Sequence, residues 1–197
     1  MKYFLDKPLA KSSFFILLFT DSAIQLIQMT DSIVIMGVAG CGKSSLGAAV
    51  AQATGLKLVE GDDFHSPANR AKMSQGFALT DADRDGWLTT LGEQLRAQPQ
   101  GLVLTCSALK RAYRERLRQA APGLRFAFLD ISREQAQARV AARAAEHFFS
   151  TSLVNSQFAT LEDPTGETRV LRVDAIQPIE RLQAEVTDWL NANQEPT

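Results

Sequence analysis

The sequence predicts a three-layer α/β domain in which a five-stranded parallel sheet carries helices on both faces. Short apolar runs typical of buried strands alternate along the 197 residues with longer stretches that favour helices. Strands that alternate with helices at this spacing indicate βαβ units, and such units build parallel sheets covered by helices. The chain has about 1.3 times the usual domain length. It contains no internal repeat and no Gly/Ser/Pro-rich linker, so we expect one domain.

Five segments have the composition and the length of strands. Residues 32–36 (SIVIM) form an unbroken apolar run with two Ile and one Val, which is typical of a strand buried on both faces. The later strands are expected at residues 56–59, 101–105, 124–131 and 168–173.

Helices are expected between these strands and after the last one. Ser66 and Pro67 form a start signal, because Ser caps a helix N-terminus well and Pro fits the first helical position. The next helix along the chain is expected to begin at Asp81 or Asp83 and to run to about Arg96. The other helices are expected over residues 43–54 and 109–119, from 132 onward, and over 178–190.

The composition favours a reduced, cytoplasmic protein. Lys and Arg number 21 and Asp and Glu number 22, so the chain lacks the basic surplus of a general nucleic-acid binder. The basic residues of segment 110–118 are therefore expected to form a solvated helix face rather than a nucleic-acid site. Two cysteines, Cys41 and Cys106, and two histidines show no metal-ligand spacing, which argues against a zinc site.

The first 28 residues do not fit the pattern of the domain. Their apolar run at 14–19 is too short to span a bilayer, which takes about 20 apolar residues. We interpret residues 1–28 as an N-terminal extension that either precedes a natural start at Met29 or is disordered. A packed accessory helix and a membrane-targeting segment are the alternatives. The domain then comprises residues 29–197, with no membrane partner.

A glycine-rich segment between the first strand and the first helix carries the strongest motif. Residues 37–44 (GVAGCGKS), hereafter the phosphate loop, match G-x-x-x-x-G-K-[ST] in the strand–loop–helix setting that this motif needs. Its backbone N–H groups and the helix N-terminus can bind phosphate oxygens. Lys43 can reach the β- and γ-phosphates, and the Ser44 hydroxyl is placed to ligate Mg²⁺. The ATP-binding residues are therefore predicted to be Gly37, Val38, Ala39, Gly40, Cys41, Gly42, Lys43 and Ser44.

Polar side chains for a second substrate follow the second strand. The acidic run at residues 60–63 (EGDD), which includes Asp62, stands at the strand's carboxyl end, where a carboxylate could orient an acceptor hydroxyl and take its proton, or hold Mg²⁺ through water. His65 follows, and Asn69 and Lys72 lie three residues apart on one helix face. Polar groups that converge on a crevice suit a hydroxylated, anionic small molecule. A solvated turn and an ordinary surface lysine are the alternatives.

Three blocks of the sequence, together with the phosphate loop, resemble the P-loop gluconate kinases. The resemblance covers about residues 32–174 and is more specific than any one motif in it. The blocks are Gly61–His65 with Asn69, Lys72–Met73, Gly76, Leu79–Arg84 and Trp87–Leu88; Cys106–Lys110 with Tyr113–Arg114 and Leu117–Arg118; and His147–Phe149 with Ser156–Phe158, Leu161–Glu162 and Pro164.

The resemblance implies a P-loop kinase fold like that of the nucleoside monophosphate kinases, with a helical lid over about residues 143–158. It implies Mg²⁺- and ATP-dependent phosphorylation of D-gluconate to 6-phospho-D-gluconate, and a homodimer is a family-level expectation. Asp62 would orient the 6-hydroxyl and accept its proton. The side chains that would bind the sugar acid are His65, Asn69, Lys72 and Arg84, although Arg84 could instead pair with its acidic neighbours.

Two arginines precede the expected lid. Arg139 and Arg143 lie four residues apart on one helical face, so closure of the lid would bring one or both onto the transferring phosphate. Solvated helix arginines are the alternative.

Two other functions remain open. One is a kinase of the same architecture for another acceptor, such as shikimate or adenylyl sulfate. The other is a non-catalytic nucleotide switch, which would need the phosphate loop but not Asp62, His65, Asn69 and Lys72.

Overall fold

A computed structural model of the chain, which describes residues 32–142 and 151–192, has the expected α/β architecture. Its sheet contains five parallel strands in the order β2-β3-β1-β4-β5. The strands are β1 (Ile33–Met36), β2 (Lys57–Glu60), β3 (Leu102–Thr105), β4 (Arg125–Asp130) and β5 (Val170–Asp174).

The described ranges contain seven α-helices, and a 3₁₀ turn at Gly61–Phe64 follows β2. The helices are α1 (Lys43–Thr54), α2 (Pro67–Ser74), α3 (Asp81–Arg96), α4 (Arg111–Ala120), α5 (Arg133–Ala142), α6 (Thr151–Thr160) and α7 (Ile179–Ala192).

The sheet separates two apolar cores, which confirms that helices cover both faces. Successive side chains of a strand point to opposite faces, and in β1 Ile33 and Ile35 pack with α1 and α7 on one side. Val34 and Met36 pack with α3 and α4 on the other side. All four side chains of β1 are fully buried, as its unbroken apolar run predicts.

The strand order determines where polar side chains meet. β1 is central, between β3 and β4, and the phosphate loop leaves the sheet directly after it. β2 ends at Glu60, which pairs with Thr105 at the end of β3. Groups that follow these three strands therefore gather at one edge, where open α/β sheets bind their ligands.

Helix starts follow local capping. α3 begins at Asp81, one of the two predicted positions, because Thr80 forms a capping box with Asp83. α2 begins at Pro67 with Ser66 as its cap, as predicted. α4 begins at Arg111 instead of residue 109, because Lys110 has an extended backbone.

No helix within the described ranges is both long and apolar enough to cross a membrane. The proposed extension over residues 1–28, Arg143 and the start of the expected lid at 143–150 lie outside those ranges. α6 occupies the later part of the predicted lid segment.

Candidate active site

A cavity of about 190 Å³ opens at the carboxyl edge of the sheet. The phosphate loop lines it through residues that include Lys43 and Ser44. Residues between β2 and the first turns of α3, among them Asp62 and Arg84, line the same cavity. The structure thus brings the predicted nucleotide loop and three of the predicted acceptor residues, Asp62, His65 and Arg84, to one cavity.

The phosphate loop has the backbone conformation that exposes its amides. Gly40 and Gly42 have φ angles of 83° and 106°, in the left-handed region that side chains disfavour. A Cβ on Gly40 would lie 2.7 Å from the carbonyl oxygen of Ala136, so α5 also leaves no room for one. Cys41 is buried, and burial raises the pKa of its thiol, which keeps the side chain neutral.

Two side chains, one within the phosphate loop and one from α6, form hydrogen bonds to the backbone of the loop. Lys43 Nζ donates to the carbonyl oxygen of Val38 at 3.1 Å. The Ala39 amide donates to Gln157 Oε1 at 2.6 Å, which ties α6 to the loop. Neither the motif nor its spacing points to Gln157; the family resemblance includes it but gives it no role.

Arg139 binds backbone carbonyls at the base of the loop. Its Nη1 atom donates to Cys41 O at 3.2 Å, and its Nη2 atom donates to Ala175 O, after β5, at 2.9 Å. The guanidinium therefore lies next to the phosphate loop, while its role at the transferring phosphate stays a prediction. Arg143 lies outside the described residues.

Two hydroxyl groups meet one carboxylate beside the loop. Glu60 Oε2 accepts a hydrogen bond from Ser44 Oγ at 3.0 Å and another from Thr105 Oγ1 at 2.5 Å. Mg²⁺ prefers such oxygen donors, and in nucleotide sites it takes one or two protein groups together with phosphates and water. The predicted Mg²⁺ ligand, Ser44, thus stands in a chemically suitable setting. The sequence indicates Glu60 only as part of the acidic run at residues 60–63 and does not single it out, because its proximity to Ser44 depends on the strand order.

Asp62 lies on a turn packed tightly against β3. Its side chain is 54% exposed and lines the cavity. The Gly61 amide donates to Thr105 Oγ1 at 3.4 Å, and a Cβ on Gly61 would lie only 2.3 Å from Thr105 O. The glycine before Asp62 is therefore required by close contact between backbones.

His65 and Trp87 form the wall next to Asp62. Both side chains are buried, and their rings stack with centroids 4.4 Å apart. His65 Nε2 lies 3.7 Å from Asp62 Oδ1. Burial lowers the pKa of His65 although the Asp62 carboxylate opposes this shift, so the imidazole is neutral at neutral pH.

Asn69 and Lys72 join two helices rather than line the cavity. Asn69 Nδ2 donates to the backbone oxygen of Asp83 at 2.7 Å, and Lys72 Nζ donates to Asp83 Oδ1 at 2.6 Å. The hydrogen bond from Lys72, helped by those from Thr80, lowers the pKa of Asp83 to about 2. Binding of the sugar acid by Asn69 and Lys72 stays a prediction.

Arg84 reaches the cavity from the first turns of α3. Its Nη1 atom donates to Leu79 O, and its guanidinium lies 5.7 Å from the centroid of the Tyr113 ring. The acidic neighbours that the sequence offers it, Asp81 and Asp83, bind Lys110 and Lys72.

The basic residues of segment 110–118 are largely paired with acids. Arg118 contacts both Glu115 and Glu167 at 2.9 Å, and three further pairs are Lys110–Asp81, Arg116–Asp85 and Arg114–Glu167. The expectation of a solvated face was wrong for Arg114, which is fully buried. Its Nη1 atom donates to the carbonyl oxygens of Ala108 and Leu109, and this fixes the turn that carries Ser107 into the cavity.

Comparison with known proteins places these features in a family. A family model described as an AAA domain matches residues 33–164. The gluconokinase of Gluconobacter oxydans is 45% identical over 144 residues, which cover 72% of this chain and 80% of that protein. The thermosensitive gluconokinase of Escherichia coli is 38% identical over 148 residues, 73% of this chain and 79% of that protein. A crystal structure of a gluconokinase from Sinorhizobium meliloti matches with a TM-score of 0.77 at 46% identity, covering 83% of this chain and 93% of that one.

Proposed function

The chain belongs to the gluconokinase family, and on this premise we propose that it transfers the γ-phosphoryl group of ATP to the 6-hydroxyl of D-gluconate. The products are ADP and 6-phospho-D-gluconate. The observation that carries the proposal is the cavity in which the phosphate loop and Asp62 face the same space.

The nucleotide end of the cavity supplies positive charge and hydrogen-bond donors. The loop amides and the N-terminus of α1 bind phosphate oxygens, and Lys43 neutralises charge at the β- and γ-phosphates. Lys43 needs only to leave the Val38 carbonyl to reach them.

Ser44 and Glu60 would hold Mg²⁺ together with the phosphates. When bound, the ion neutralises charge on the triphosphate. Thr105 donates to the same Glu60 oxygen and so fixes the carboxylate in place.

Asp62 acts on the acceptor. Its carboxylate accepts a hydrogen bond from the 6-hydroxyl and orients that oxygen toward the γ-phosphorus. As the O6–P bond forms and the bond to ADP breaks, the hydroxyl proton passes to the carboxylate. Phosphoryl transfer depends mostly on such positioning and on charge neutralisation, and a fixed turn next to β3 provides the positioning.

The sugar acid needs a cation and hydrogen-bond partners. Arg84 lines the cavity and supplies a guanidinium for the carboxylate of gluconate. The acceptor site is completed by His65, Asn69 and Lys72. The last two lie on α2 and are bound to Asp83 of α3. Arg139, Arg143 or both would neutralise charge on the transferring phosphoryl group on closure of the predicted lid over about residues 143–158.

The cellular setting follows from the reaction. ATP is a cytoplasmic reagent, so we place the enzyme in the cytoplasm. The family resemblance supports a homodimer, and the proposed reaction requires no nucleic acid.

An acceptor panel tests the proposed function. ADP release from Mg-ATP is measured with D-gluconate, shikimate, adenylyl sulfate or no acceptor. We expect turnover with gluconate alone, and we expect Lys43→Met to abolish it while Lys57→Met, at the exposed start of β2, preserves it. Turnover with another acceptor instead would show that the enzyme is a kinase with a different acceptor specificity. ATP binding without turnover on any acceptor would favour the nucleotide switch.

A further inference from the structure

Trp87 makes two contacts with the segment that carries Asp62. Its indole Nε1 atom donates to the carbonyl oxygen of Gly61 at 2.7 Å, and this hydrogen bond is buried. Its ring stacks on His65 at an angle of 17° between the ring planes. Trp87 comes from α3, so one side chain joins this helix to both ends of the Gly61–His65 segment.

The imidazole of His65 has a defined choice of proton position. It is neutral, so one ring nitrogen carries a hydrogen and the other does not. Nδ1 is buried and has no hydrogen-bond partner among the described residues, whereas Nε2 faces Asp62 Oδ1. A buried N–H without an acceptor is costly and rare in proteins, so the hydrogen is favoured on Nε2.

We propose that Trp87 is a positioning residue for phosphoryl transfer, which holds the His65 ring so that its Nε2–H faces the Asp62 carboxylate. The inference rests on the proposed function, in which Asp62 receives the hydroxyl proton. His65 Nε2 and Asp62 Oδ1 are 3.7 Å apart, so the N–H group attracts the carboxylate without forming a tight hydrogen bond. The attraction keeps the Asp62 carboxylate beside the cavity and leaves it free to bind the acceptor hydroxyl.

Tryptophan suits this position because it combines a flat face with an N–H donor. Phenylalanine retains a ring that can stack on His65 but cannot donate to Gly61 O. Leucine provides neither contact. These two substitutions therefore separate the hydrogen bond from the stacking.

Nuclear magnetic resonance tests the proton position without any turnover. The chain has two histidines, so a His147→Gln background leaves the His65 ring as the one histidine signal in a long-range ¹H–¹⁵N spectrum. We expect the pattern of a neutral ring protonated on Nε2, and we expect Trp87→Leu to alter it. The control is Trp189→Phe, which replaces the other tryptophan, a partly buried residue packed against the core on the opposite face of the sheet. A ring protonated on Nδ1, or a pattern unchanged by Trp87→Leu, would overturn the proposal.

Steady-state kinetics test the consequence for the reaction. We expect Trp87→Phe to lower kcat about tenfold and Trp87→Leu to lower it further, with the KM for ATP unchanged in both. Unfolding midpoints are measured for the same variants. If Trp87 has only a structural role, its substitution lowers the midpoint and leaves kcat unchanged, and that result would contradict the proposal. If gluconate is not the acceptor, the spectra still decide the His65 geometry, so failure of the proposed function is distinguishable from failure of this inference.

Discussion

Ser44 Oγ and Glu60 Oε2 lie 3.0 Å apart, so the last residue of the phosphate loop is joined to the last residue of β2. The two residues are 16 positions apart in the chain, and β3 lies between β2, which ends at Glu60, and β1, which precedes the phosphate loop. Thr105, at the end of β3, donates to the same carboxylate oxygen. A charged oxygen cluster thus stands beside the position expected for the phosphates.

Removing the charge of Glu60 should weaken the use of Mg²⁺. Glu60→Gln keeps the size of the side chain but loses the negative charge that attracts the ion. We expect kcat to fall about tenfold or more and the Mg²⁺ concentration for half-maximal rate to rise. The measurement is the initial rate as a function of Mg²⁺ at fixed ATP. Glu93→Gln, on the exposed side of α3, is the control, and equal Mg²⁺ curves for both variants would refute the role of Glu60.

Two glycines should respond in opposite directions to alanine. In Gly61→Ala the new Cβ meets the Thr105 carbonyl oxygen at 2.3 Å, which forces the backbone to move. Such overpacking costs about 1–3 kcal/mol, and the movement displaces Asp62. Gly86 lies inside α3, and a methyl group added there would meet no heavy atom within 4 Å. Gly86→Ala should therefore stabilise the fold by about 0.5–1 kcal/mol.

Urea unfolding and the gluconate-dependent rate measure both glycine effects. We expect a lower unfolding midpoint and a reduced rate for Gly61→Ala, and a higher midpoint with a normal rate for Gly86→Ala. If Gly61→Ala unfolds at the original urea midpoint and has the original rate, then the contact between Gly61 and Thr105 does not require glycine.

Asp83 should make the fold sensitive to acid. Its pKa of about 2 lies below the ordinary value of 3.8, chiefly because of the hydrogen bond from Lys72. The unfolded chain therefore takes up this proton more readily, so the stabilisation is present above about pH 4 and is lost as the pH falls toward 2. Between pH 4 and pH 2, the unfolding midpoint of Asp83→Asn should change less with pH than that of the original protein. Lys72→Met should remove much of the same pH dependence. If the unfolding midpoint of both variants depends on pH as that of the original protein does, the Lys72–Asp83 pair is not the source of the acid sensitivity.

The two candidate cations for the carboxylate of gluconate can be separated. Arg84 lines the cavity, whereas Lys72 binds Asp83. We expect Arg84→Met to raise the KM for gluconate about tenfold or more and to leave the KM for ATP unchanged, with a smaller effect of Lys72→Met. A larger rise for Lys72→Met would assign the carboxylate to Lys72.

The fold was accessible from the sequence because its signals are local. The apolar run of β1, the glycine motif and the Ser66–Pro67 start each specify a structure within a few residues. The 3₁₀ turn after β2 was not predicted, because it depends on the close contact of Gly61 with Thr105 from another strand.

The site was accessible only in part. The motif placed Lys43 and Ser44, and the position after a strand placed Asp62 at the cavity. The proximity of Glu60 to Ser44 and the burial of Arg114 both depend on partners far away in the chain, which composition and spacing do not reveal.

We propose that Asp62 binds and orients the acceptor, while the phosphate loop binds the nucleotide. Asp62→Asn tests it most directly, through gluconate-dependent ADP release together with the affinity for ATP measured by titration. Asparagine keeps the shape of the side chain but accepts no proton, so we predict a loss of transfer of about 100-fold or more with unchanged ATP affinity. An Asp62→Asn enzyme that phosphorylates gluconate at the original rate would contradict the account.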